Sequence, residues 1–548
     1  MEPTPIQRDI INDEGNTVVL ASPGSGKTFV MSEKIKKILG NEDVPEYQGV
    51  IAISYTRKAS GNLKRRALSD GVWSKNSFFG TIDSFCLTQI ILPFGDYVMG
   101  YAAKEVRPVV FGSLNTERKT DFGWIIRDHP DYEDINQQGW NNLYQLYHEG
   151  KVLIESLELI ALHVIKECEA CRKHLQARFR YIFIDEFQDA DTYTNGIFHE
   201  LIGLGLIGNA VGDVNQSIFG YAHKSSQYLE ELETAPGFTP YWLEDNFRCS
   251  IPIVNYSSRL LHPDYVITES EDEPVKLVYV NGDEESVADY LNHHIEVHCA
   301  ERKITDMGEV AILVRNGRTQ TAIDNCLDIP HRVIETTALD QDLNPRSRLY
   351  AQLLQFYFSD NMSFLGVIDD NADYEMMTKN ERDRLITLKE EIKSVEENEI
   401  EDELPRLFKA VADIVLPKFE EGDAKNNLIM VLGNERMRDT YKPLTGNEVV
   451  IMTLHKAKGL EFEMVYHLNM NEYEIPFKKY ENYQAVYPNE TQDLDLHYVG
   501  ITRAKKACFL ITNTLRHNSY DELKRSQPSE FLSRNGVDEL RVDEYYGF

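Results

Sequence analysis

The run Ala21-Ser22-Pro23-Gly24-Ser25-Gly26-Lys27-Thr28 has the residue types that hold a nucleoside triphosphate. Its glycines let the backbone approach phosphate oxygens, and successive N–H groups at the start of a helix supply positive potential. Lys27 would neutralise the terminal phosphates and Thr28 would offer its hydroxyl to Mg²⁺. Ala21 stands where the usual pattern has glycine. The run follows an apolar strand pattern, NTVVLA, and opens a helical one, FVMSEKIKKIL, which is the context such a loop requires. Farther along, Asp185-Glu186 closes the apolar run YIFI. In that position Asp185 can hold the magnesium shell while Glu186 orients and deprotonates an attacking water. Alone, the loop could be a bare glycine turn and the acidic pair a solvated strand end. Together they point to hydrolysis of ATP with Mg²⁺.

These groups need rigid elements beneath them. NTVVLA, GVIAISYT, YIFIDE and AVGD alternate with helical patterns, which predicts one parallel sheet. A second series, VKLVYV, EVAILVR, EVVIMTL, MVYHLNM and KACFLIT, follows Arg248 and predicts another. Aromatic-rich helical patterns separate Phe85 from Arg180, and helical patterns with the acidic run EEIKSVEENEIEDE interrupt the second series between Leu339 and Asn447. Such a charge run reads as a solvated helix face or loop. At 548 residues the chain exceeds one ordinary core, so several domains are expected.

Composition bounds the class. Hydrophobic residues at 42% and charged residues at 27% are globular proportions. No run approaches the roughly 20 apolar residues of a membrane span and MEPTPIQRDI does not read as a signal peptide, so a cytoplasmic location is expected. Seven cysteines are too sparse for a disulfide framework, and the lone CxxC at Cys168 and Cys171 reads as part of a packed helix. A net charge of −32 opposes general binding to nucleic acid, yet a local basic groove with stacking side chains would suffice for a single strand.

TPIQRDI at Thr4, ASPGSGKT at Ala21, ISYTRKAS at Ile53, GTIDSF at Gly80 and FIDEFQD at Phe183 occur in that order. VGDVNQSIFGY at Val211, LEDNFR at Leu243, VAILVR at Val310, MTLHKAKGLEFEMV at Met452 and LHYVGITRAKK at Leu496 continue the series. In these segments the chain resembles the UvrD/PcrA/Rep group of superfamily 1 DNA helicases over nearly its whole length. The resemblance implies two RecA-like parallel-sheet motor domains, residues 1–85 with 181–248 and 249–338 with 448–548. Each would carry a mostly helical insertion, 86–180 and a shortened 339–447. It further implies that Gln7 recognises adenine, Gln216 senses the γ-phosphate, Arg248 and Arg503 reach that phosphate, Glu461 contacts ribose and Arg66 lies on the nucleotide side. Movable arginines suit phosphoryl transfer, because charge in the transition state spreads over the γ-phosphoryl oxygens.

For DNA, the resemblance implies contacts from Tyr55, Thr56, Thr81, Tyr221, Thr453 and His455, with aromatic stacking that tolerates any base. Phe29 and Asp83 depart from the family's usual Arg and His. The implied activity is an ATPase that translocates 3′ to 5′ on single-stranded or partly duplex DNA. The compact inserts also resemble the helicase-like subunits of Gabija anti-phage systems, which implies a nuclease partner in a hetero-oligomer. A repair or recombination helicase, a DNA-end or single-strand sensor with little unwinding, and a scaffold on a degenerate helicase fold are the alternatives.

Overall fold

Strands whose every residue is apolar are satisfied only inside a parallel sheet covered on both faces, and the chain has such strands in each half. The computed structural model describes residues 2–55, 57–216, 225–342, 344–372, 374, 377–481, 484–518 and 522–548; Thr56 and Tyr221 lie outside the described residues. In the first half, β1 (Asn16–Ala21), β2 (Gly49–Ile53) and β3 (Phe78–Gly80) precede a helical segment that holds the short pair β4 (Arg107–Val109) and β5 (Lys151–Leu153). Then come β6 (Phe179–Ile184), β7 (Ile207–Gly212) and β8 (Phe238–Leu243). The six long-range strands form one parallel sheet in the order β3-β2-β6-β7-β1-β8.

Alternation along each strand splits its side chains between two cores. Val18, Ile51 and Ile53 face one side, and Val19, Val50 and Ala52 face the other, under Val30, Ile35 and Leu63 of the flanking helices. The helices between β3 and β6, including Gln137–His148 and Leu157–Glu167, pack into the first of these cores rather than building their own.

The second half contributes β9 (Val275–Val280), β10 (Val310–Val314), β11 (His331–Val333), β12 (Val449–Thr453) and β13 (Phe462–His467). A hairpin of β14 (Lys479–Glu481) and β15 (Gln484–Val486) follows, then β16 (Ala504–Asn513), the hairpin β17 (Leu515–His517) and β18 (Leu523–Arg525), and β19 (Arg541–Tyr546). Seven of these form a second parallel sheet, β11-β12-β10-β13-β16-β9-β19. Between β11 and β12 the helices Pro345–Phe358, Lys379–Lys393, Ile400–Val415 and Ala424–Leu432 close around a core of their own, with Leu353, Leu388, Leu404 and Leu428 inside. The acidic run is a solvated face: Glu390, Glu396 and Glu397 are exposed while Ile392, Ile400 and Leu404 are buried.

Cys168 stands at the start of the helix Glu169–Arg178, where its Sγ accepts the Cys171 N–H at 3.4 Å, and both thiols are free. No helix among the described residues is long and apolar enough to cross a membrane.

Buried histidines tie the second sheet to pH. His467 and His497 are fully buried and share a 3.1 Å contact, and His298 bonds the Tyr466 hydroxyl at 2.8 Å. Burial lowers His467 from 6.5 to about 4, and burial with Arg302 nearby does the same to His298. The unfolded chain binds these protons more readily, so their contribution is fully present above about 6.5 and is lost as pH falls to about 4. Urea midpoints measured across that window should fall with pH, and a His298→Gln/His467→Gln variant should show a shallower fall. Equal slopes in both proteins would refute the assignment.

Candidate active site between the two sheets

Polar loops gather at the carboxyl ends of β1, β6 and β7, the usual ligand position in parallel sheets. After β1 the chain turns through Gly24 and Gly26, both left-handed at φ 71° and 88°, into the helix Lys27–Gly40. A Cβ at Gly24 would come within 2.6 Å of the Arg248 Cβ, so the glycine is required for space as well as for φ. The Ser25 hydroxyl closes the loop on the Ser22 carbonyl at 2.7 Å. Gln7, in the helix Pro5–Asn12, is buried behind this loop. Its Nε2 donates to the Ser25 carbonyl at 3.0 Å and its Oε1 accepts the Thr4 N–H at 3.1 Å. Gln7 is not among the residues lining the cleft, and adenine recognition would require it to exchange these partners.

At the end of β6 the Asp185 N–H donates to the Ile53 carbonyl, which fixes the strand end against β2. Glu186 adopts φ 54°, a conformation that costs a non-glycine residue about 1–3 kcal/mol and recurs at functional sites. Its Oε2 accepts from Gln188 Nε2 at 2.6 Å and lies 3.6 Å from Lys27 Nζ. Burial, reinforced by the Glu186 charge, pushes Asp185 up to about 7. The same burial acts on Glu186, but Lys27 and Gln188 outweigh it and hold that carboxyl down to about 2. Burial likewise works against the Lys27 ammonium, yet Glu186, Asp213 and Asp185 keep it charged, above its usual range.

The second sheet supplies the opposite wall. Arg503 is buried, its guanidinium donating to the Val499 and Leu460 carbonyls at 3.0 and 3.1 Å and reaching Gln216 Oε1 at 3.5 Å. Burial, with Arg248 adding to it, brings Arg503 down to about 10, still a cation at neutral pH. Gln216 Nε2 donates to Asp213 Oδ2 at 2.7 Å, and the Gln216 carbonyl accepts Lys458 Nζ at 2.7 Å. Lys458 also pairs with the buried Asp189 at 2.8 Å. Arg248 is held by Glu461 at 2.8 Å, which Lys505 approaches at 3.4 Å. The walls enclose about 870 Å³, and Thr28, exposed Arg66 and half-exposed Phe247 line it.

The residues expected to touch DNA are divided. Tyr55, 45% exposed, and His455 line this same cleft. Burial, with Arg315 and Lys458 nearby, lowers His455 to about 4, so it is neutral. Thr453 ends β12 beside Val314 of β10. Thr81 is buried, caps the helix Ile82–Phe85 by accepting the Ser84 N–H at 3.3 Å, and faces a different cavity.

The model of the UvrD/REP helicase N-terminal domain matches residues 4–95 and 113–235, and that of the UvrD-like helicase C-terminal domain matches residues 350–514. The chain belongs to the UvrD-like helicase family. Membership implies ATP-driven work on DNA. Gabija protein GajB of Bacillus cereus is 25% identical over 94% of this chain and 97% of its own length. DNA helicase II of Haemophilus influenzae is 24% identical over 96% and 86%, and ATP-dependent DNA helicase PcrA of Staphylococcus epidermidis is 23% identical over 97% and 86%.

In this UvrD-like chain, sequence reasoning passed over Lys458, Asp189, Gln188, Asp213 and Phe247. All sit inside motifs that were recognised, HKAKGLE, FIDEFQD, VGDVNQ and LEDNFR, but spacing alone does not say which members cross the gap. The Asp189–Lys458 pair makes this testable. Lys458→Met takes the cation from a buried carboxylate and should destabilise the protein by about 3–5 kcal/mol, whereas Asp189→Asn/Lys458→Met should cost clearly less. Strictly additive losses in denaturant titrations would contradict a direct pair.

Proposed function

We propose that the chain is a DNA-dependent ATPase that translocates 3′ to 5′ on single-stranded DNA, acting in the cytoplasm in anti-phage defence beside a nuclease partner. The two sheets would be its motor domains, residues 1–85 with 181–248 and 249–338 with 448–548, and the segments 86–180 and 339–447 its inserts. The observation that carries the motor reading is the Gln216 node. One side chain touches Asp213 on the first wall and Arg503 on the second, while its carbonyl takes Lys458. A change at the γ-phosphate is thereby felt on both walls at once.

ATP would lie with its phosphates on the N–H groups of residues 24–28 and on Lys27, and its base beside Phe247, whose exposed ring offers a stacking face. Asp185 fits a divalent cation: its buried carboxyl is costly to ionise without positive charge beside it. Asp185 and Thr28 would hold Mg²⁺, which supplies neutralisation of phosphate charge. Glu186 stays ionised, and because Gln188 and Lys27 both reach Oε2, its Oε1 is left to take the proton of the attacking water. Arg503 lies ready at the gap, and Arg248 joins it when ribose takes over Glu461. Arg66 adds charge on the nucleotide side. Tyr55, Thr56, Thr81, Tyr221, Thr453 and His455 would grip the strand, their roles and the polarity being carried over from the family.

The defence reading is supported by the match to Gabija protein GajB, 25% identical over 94% of this chain. The net charge of −32 favours docking to a protein partner over broad contact with duplex. A DNA-sensing ATPase with little unwinding, or a repair helicase, shares the same cleft.

Steady-state turnover should rise on adding single-stranded DNA. It should fall about 10²- to 10⁴-fold in Glu186→Gln, and about 10³-fold in Arg503→Ala. Lys27→Ala should be similarly inactive. Equal turnover in all four proteins, with or without DNA, would sink the ATPase reading, and absence of any stable nuclease partner would remove the defence role.

A further inference from the structure

A second cavity, of about 310 Å³, lies where three stretches of chain meet, and it shares no lining residue with the hydrolysis cleft. The segment from Thr81 to Leu92 forms one wall, Ile154 and Leu157 of the first insert another, and Arg348, Ala372 and residues 415–419 of the second insert the third. Its size falls in the range of about 300–1,000 Å³ that small ligands occupy. Phe419 packs against the core of the first sheet and the core of the second insert alike, and Lys418 pairs with Glu105 across the same junction at 3.3 Å.

The lining has three chemistries. Leu87, Leu157, Leu416 and Phe419 give apolar surface. Asp83, with the hydroxyls of Ser84 and Thr88 near it in the chain, gives acceptors. Arg348 gives a cation, and its exposed guanidinium makes no hydrogen bond or ion pair among the described residues, although acidic residues outnumber basic ones by 89 to 57. Asp83 also lies against Glu158, which burial and the Asp83 charge drive well above its usual range.

A simple anion would leave the apolar walls unused, and a hydrocarbon would leave Asp83 and Arg348 unmatched. A flat heterocycle with an amino edge and a phosphate matches all three. We propose that this cavity binds one nucleotide, its base against Leu87, Leu157 and Phe419, its amino edge at Asp83 and its phosphate at Arg348. The nucleotide is a free one, distinct from the strand contact proposed above for Thr81, which lines the same cavity. Because the walls come from both inserts, the occupied cavity braces them against each other. The inference is independent of the hydrolysis reading, and the experiment separates the two.

The test uses the full chain and two fluorescent probes, free 2-aminopurine deoxynucleoside monophosphate and an oligothymidylate carrying one 2-aminopurine. Arg348→Ala and Ala372→Phe, which remove the cation and fill the space, should each weaken binding about tenfold or more, while thermal unfolding and ATP turnover stay as in the wild type. Lys27→Ala should bind the probe normally. Deoxycytidylate should compete at least about tenfold better than thymidylate, which lacks the amino group. Capture of the free probe supports the proposal, whereas capture of the oligonucleotide alone assigns the cavity to the strand contact of Thr81 and overturns it. Failure of both probes to bind, wild-type binding by both pocket variants, or loss of the signal in Lys27→Ala would overturn it. Normal pocket binding without DNA-stimulated turnover would count against the motor alone.

Discussion

A cation withdrawn from water must meet an accepting group, and the gap between the two sheets is built around that rule. Arg503 and Lys458 are carried by the second sheet, yet the groups that answer them across the gap, Gln216 and Asp189, belong to the first. Neither sheet completes its own polar inventory. Lys458 has a short contact with a carboxylate, whereas Arg503 reaches Gln216 only at 3.5 Å and otherwise rests on two carbonyls and the Thr502 hydroxyl of its own side. The first contact holds the walls together, and the second leaves Arg503 a cation with only a long contact across the gap.

Strand order explains why the right groups meet. In the first sheet β6, β7 and β1 are adjacent, so the acidic pair, the Asp213 to Gln216 turn and the phosphate loop emerge side by side from parallel carboxyl ends. The left-handed Glu186 and the crowded Gly24 are costs that an isolated loop would relax away. They persist because Ile182, Ile184, Val18 and Ala210 are fixed in a close-packed core immediately below. The charges then tune one another. Lys27 keeps Glu186 ionised, and Glu186 helps to keep Asp185 from ionising, so two neighbouring carboxyls take up opposite protonation behaviour.

Much of this was legible in the residue pattern because burial on both faces leaves continuous apolar runs. GVIAI, VAILV and VVIMT read directly as β2, β10 and β12. The short or mixed strands β3, β8, β11 and β19 carry no such run, and they escaped notice: FFG is too brief and RVDEYY is an edge strand with charged positions. Both helical inserts were visible from periodicity, but not their difference in core. The motifs located the cleft without naming Lys458 or Asp189 as the members that span it. Gln7 shows the same boundary from the other side, since its amide is spent on the loop backbone, a tertiary contact that no local pattern encodes.

That difference in cores sets which part can move. The first insert shares its apolar core with the sheet face, so shifting it would expose residues such as Phe85, Leu162 and Ile165 to water. At about 25 cal/mol per Å² of apolar surface, that resists motion strongly. The second insert buries Leu353, Leu404 and Phe408 among its own helices and can turn with its core intact. Its tethers to the second sheet are polar: Arg436 pairs with Asp324 and Glu335, and Lys456 with Asp340. Arg332 of β11 holds the returning chain through Glu448 and the carbonyls of Asp439 and Lys442, and Lys418 and Phe419 touch the first half. A unit with a core of its own, held to the second sheet by ion pairs and meeting the first half at Lys418 and Phe419, is separable from both sheets without exposing that core.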